Sequence, residues 1–180
     1  MTWKSFHNRS EILRCVIAVA NTRRDGMLPM DVDGVPEAFG DPLSVLAALQ
    51  LKWHTRLAGH IERELLAQPM DLPESVAVAW GNACDELPGV RLVLDHYRAE
   101  PIDEATAAAM AKATIKEHSM LAVMSGLASV QGDAVAAPVG ARIEERARLL
   151  HRGILTLAPA SAGTEERPSF LERLRSVLAA

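Results

Sequence analysis

In every long stretch of this chain the apolar residues recur at three- and four-residue intervals, and clusters of Asp, Gly and Pro cut the runs apart. That period belongs to the α-helix; a half-buried strand would alternate every second residue. The pattern therefore predicts an all-α fold. Composition agrees, because aromatics make up only 4% of the 180 residues while alanine is abundant, which suits closely packed helices better than sheets.

The breaks divide the chain into an up-and-down bundle of about five long helices. Asn8 reads as an N-cap with Glu11 completing a capping box, and a helix follows over about 9–23. Residues 24–41 lack any period and read as a long loop. Within it Asp31-Val32-Asp33-Gly34 resembles the start of a calcium loop, but the later ligands of that pattern do not line up, so turn chemistry is the better reading. Asp41-Pro42 starts a helix over about 42–67. Pro73-Glu74 starts the next, which Leu87-Pro88-Gly89 kinks or breaks before it runs on to Glu100. Two more span about 102–129 and 138–156. These elements make a bundle domain of residues 1–157. Residues 158–167 read as a linker, and 168–180 as a short amphipathic C-terminal helix.

Several functions are excluded or disfavoured. The net charge is −4, and no turn leads into a basic recognition helix, which argues against nucleic acid as a partner. Arg142, Arg146, Arg148 and Arg152 cluster on the last long helix, but Glu144 and Glu145 interrupt them, as on a solvated face. No apolar run reaches the ~20 residues of a membrane span, and the first residues show no apolar signal core. A cytoplasmic protein is expected. Arginine outnumbers lysine 15 to 4, the coding bias of a GC-rich bacterium. Cys15 and Cys84 each fall in an apolar stripe, as small hydrophobes rather than a disulfide or zinc pair. No catalytic serine or Cys–His motif is present. Ser119 follows His118 directly, and adjacent helix residues do not face each other.

What breaks the pattern is polar. Each helix residue turns by about 100°. On the 42–67 helix, Leu43, Leu46, Leu57, Ile61 and Leu65 define an apolar arc, and Gln50 and His54 fall within it. His60 and Glu64 share its edge. On the 102–129 helix Glu117 lands beside Met110 and Met124. A buried carboxylate needs a partner, and Arg146, His54 and Gln50 are the candidates. The HxxxE spacing of His60 and Glu64 resembles that of hemerythrin-like proteins over five residues. That resemblance implies a metal, iron or another transition metal, held by inward His and Glu side chains. His54, His60, Glu64 and Glu117 would be its ligands.

The C-terminal strip of Phe170, Leu171, Leu174, Val177 and Leu178 seeks a groove on the chain itself, on a second copy or on another protein. With Gln50, these are the candidate partner or ligand contacts. The leading expectation is a non-enzymatic interaction or regulatory protein without a cofactor, which binds a protein partner or itself. The alternative is a metal- or small-ligand-binding bundle.

Overall fold

The computed structural model describes residues 3–67, 69–129 and 132–153. These form seven helices and no strand: α1 (Trp3–Arg23), α2 (Val35–Phe39), α3 (Pro42–Leu66), α4 (Leu72–Glu86), α5 (Pro88–Ala99), α6 (Glu104–Met124) and α7 (Asp133–His151). The fold is an all-α bundle. The 158–167 and 168–180 segments lie outside the described residues.

Local chemistry explains most of the boundaries. Asp41, Asp71 and Asp103 each cap a helix through a side chain that accepts a backbone N–H, from Ser44, Glu74 and Thr106 respectively. Each such cap contributes about 1 kcal/mol. At Leu87-Pro88 the chain breaks outright, because proline cannot continue the ladder of α4 but fits the first turn of α5.

Four boundaries depart from the sequence reading. Asn8 lies inside α1 rather than capping it; nothing in residues 3–8 breaks a helix, so the capping signal is overridden. The 24–41 segment contains α2, whose Val35 and Phe39 are buried. Five residues are too few to display a period. α6 ends at Met124, not near 129. Gly126 takes the left-handed conformation (φ 72°), its N–H bonds Val123 O, and the N–H of Leu127 bonds Ala122 O. This is a Schellman stop. Finally, α7 begins at Asp133, with Pro138 in its second turn, where a missing N–H removes a single intrahelical bond.

The core runs through all the helices. Val16, Leu46, Leu49, Trp53, Leu57, Ile61, Leu94 and Leu121 are fully buried. α3 and α4 run antiparallel, as the pairs His60–Glu86 and Glu64–Asn82 show. Two glycines let helices touch backbone to backbone. A Cβ on Gly89 would lie 1.9 Å from Ala20 O, and one on Gly140 would lie 1.8 Å from His118 O. The N–H of Gly89 also donates to Asn21 Oδ1 at 2.9 Å, which ties α5 to α1.

Candidate functional site

Two features stand out: an ion-paired cluster that runs from the core to the partly exposed Asp95, Arg98 and Arg148, and an apolar groove on the surface.

The cluster centres on Glu117, which is fully buried on α6. Arg91 of α5 donates to both its carboxylate oxygens, at 3.2 and 3.4 Å. Trp80 Nε1 donates to Oε1 at 3.4 Å, and Arg98 lies 3.6 Å away. From there the pairs continue. Arg91 and Arg148 share Asp95, while Arg98, Arg148 and His118 converge on Glu144. Three guanidiniums thus face three carboxylates across α5, α6 and α7. Two tryptophans close the cluster. Their rings meet edge to face at 5.9 Å, with Arg91 over Trp53 at 4.8 Å and Arg148 over Trp80 at 5.0 Å, in cation–π geometry.

The electrostatics follow from this packing. Burial alone would raise the Glu144 carboxyl. The hydrogen bond from His118 and the charges of Arg98, Arg91 and Arg148 outweigh that, and hold it well below the ordinary range. Asp95 is held low in the same way, burial being overcome by Arg148 and Arg91. Arg91 and Arg148 are held above their usual values by those carboxylates, against the effect of burial. The arrangement stabilises fixed charges.

The groove lies between α3 and α6. Leu43, Leu46, Ala47, Gln50, Leu51 and His54 form one wall, and Ala109, Met110, Lys112, Ala113 and Lys116 the other. Its volume is about 420 Å³, within the range of ligand sites.

The sequence-derived candidates are dispersed between these features. Glu117 is buried and partnered, but its partners are Arg91, Arg98 and Trp80. Arg146 pairs with Glu74 instead, and Gln50 and His54 face the groove. His54 is half-buried and has no hydrogen-bond partner among the described residues. The reason is phase. The buried arc of α3 comprises Val45, Leu46, Leu49, Trp53, Leu57 and Ile61, about a sixth of a turn from the expected one. Leu43 and Leu65, used to set the arc, sit near the helix ends and are only half-buried. His60 and Glu64 do not pair. Arg63 donates to His60 Nδ1 at 2.7 Å, so the ring proton is on Nε2, which donates to Glu86 at 2.9 Å. Glu64 accepts from Asn82.

Both nitrogens of His60 are therefore committed, Glu117 is neutralised by arginine, and no group of three or more His, Cys, Asp or Glu side chains among the described residues could hold a metal ion. The four proposed ligands do not fit a metal centre. Phe170, Leu171, Leu174, Val177 and Leu178 lie outside the described residues.

Sequence reasoning missed Arg91, Asp95, Arg98, Glu144 and Arg148. Glu144 and Arg148 lie on the α7 face expected to be solvated; Glu144 is buried. The signal was available in spacing: Arg91, Asp95 and Arg98 follow one face of α5 at i, i+4 and i+7. Cys15 is exposed rather than in the stripe, which runs through Ile12, Val16 and Ala20. Cys84 is buried, and burial pushes its thiol up to about 12. Among the described residues no helix is long and apolar enough to cross a membrane. Comparison of the chain with protein-family models, curated proteins and solved structures gives no match.

Proposed function

We propose that this protein is a non-enzymatic interaction module, which docks an apolar segment of a protein partner in the α3–α6 groove. The observation that carries the reading is the groove itself. It is an open trough walled mainly by Leu, Ala and Met side chains on two long helices, and such troughs receive the apolar face of a partner helix. The chemistry-bearing side chains of the core support the same reading from the opposite side. Glu117, Glu144, Arg91 and Arg148 are spent on one another and line none of the walls of the groove. A buried, mutually neutralised cluster rigidifies helices and offers no group to a substrate.

The neutral dye Nile red reports accessible apolar sites. The full chain should bind it, and Ala113→Trp, which fills the groove, should weaken binding by about tenfold or more with unchanged helical dichroism. Unaltered binding in that variant would refute the groove as the docking surface.

A further inference from the structure

The groove continues over the edge of α3. Ala47 and Leu51 also border a second hollow of about 500 Å³, whose other walls include Leu13 of α1 and Phe39 of α2. Leu51 stands 68% exposed on the ridge between the two. Together they form one apolar patch, larger than the scattered apolar residues of an ordinary surface.

The charged side chains that line this patch are of one sign. Lys112 and Lys116 stand on the α6 side and Arg9 on the α1 side, and no aspartate or glutamate lines either hollow. The hollow on the outer side of α3 is different, because Glu86 sits there among Lys52, Arg56 and Arg63. Nor is the one-sidedness a property of the whole chain, which has 23 acidic residues against 19 Lys and Arg. Lys112 and Lys116 are four residues apart on one helix, a like-charge spacing that opposes the helix. Among the described residues neither lysine takes part in an ion pair. An anionic partner would remove that repulsion.

We infer, resting on the docking reading above, that the patch receives an amphipathic helix of another protein whose apolar stripe is flanked by aspartate and glutamate. The wall from Leu43 to His54 is about three turns long, enough for anchors at i, i+3 or i+4, and i+7. Ala47, Ala109 and Ala113 leave room for a helix backbone to approach. The chain's own 168–180 segment has the apolar strip but the wrong charge: Arg173 and Arg175 outnumber Glu172, and would add to the lysines' repulsion.

Calorimetric titration of the full chain with three designed peptides of about sixteen residues tests this. The peptides share one leucine stripe, flanked by Glu, Gln or Lys. The Glu peptide should bind about tenfold more tightly than the Gln peptide, with an advantage that shrinks as ionic strength rises, and the Lys peptide should bind weakest. Lys112→Glu with Lys116→Glu should reverse the order. Equal binding of the Glu and Gln peptides would overturn the acidic partner and leave the docking groove standing. Should the Glu peptide bind only after Phe170→Glu with Leu174→Glu, the chain's own C-terminal segment is the occupant, and the inference of a separate partner is wrong. If no peptide binds either form, the groove is not a docking site at all.

Discussion

Glu117 is removed from water, and its carboxylate accepts from Arg91 and Trp80 with Arg98 close by. Glu117→Ala would leave Arg91, itself buried, with only Asp95, which it shares with Arg148, and removing one partner of a buried pair costs about 3–5 kcal/mol. Glu117→Gln keeps the shape and one acceptor, so its loss should be smaller. Replacing both partners, Arg91→Met with Glu117→Leu, should recover most of the stability, since the desolvation penalty disappears with the charges. Urea unfolding of the three variants checks the order.

Acid acts on the same cluster. Glu144 and Asp95 titrate lower folded than unfolded, from ordinary values near 4.5 and 3.8. Above those values the unfolded chain carries the same charges, and their full contribution is present. As pH falls below about 4.5 the unfolded state takes up protons first, so stability declines and goes on declining towards the folded values. The urea midpoint should hold steady from pH 7 to 5 and then fall, whereas a midpoint unchanged at pH 3 would mean that the pairs contribute nothing. The burial of Glu117 was legible in its place beside Met110 and Met124. Its partner was not, because an arginine among the apolar residues of α5 reads by default as reaching for water.

Helix crossings are fixed by glycine. Gly89→Ala would drive a methyl group into the backbone of α1, and Gly140→Ala into that of α6. Neither neighbour is a flexible side chain that could swing aside, so each variant should lose about 1–3 kcal/mol or more. Gly59 on α3 has nothing within 4 Å of an added Cβ, and there alanine should gain about 0.5–1 kcal/mol from helix propensity. Thermal melts of the three variants should therefore move in opposite directions. The elements themselves were largely legible. Period and breakers located the long helices, and Asp41-Pro42 marked its cap to the residue. What escaped the sequence was short or governed by tertiary contact. The five residues of α2 become helical while burying Val35 and Phe39, and Gly126 stops α6 through backbone bonds that no hydropathy pattern records.

At the scale of the molecule, an ion-paired interior adjoins an apolar trough between α3 and α6. α5, α6 and α7 are joined by ion pairs, and Trp53 ties α3 to them under Arg91, so both walls of the groove belong to helices that contact the cluster. Little of this was legible. The wheel of α3 brought Gln50 and His54 together but turned them into the core, and the facing wall lies some sixty residues further along the chain. The most direct measurement is a methyl-resolved NMR titration of the full chain, labelled at Ala, Met and Leu, with the Glu-flanked peptide. Shifts should concentrate at Ala47, Leu51, Ala109, Met110 and Ala113, and leave Leu121 and Leu94 beside the ion-paired core unmoved. Shifts spread through the core, or confined to residues away from α3 and α6, would contradict a preformed docking groove.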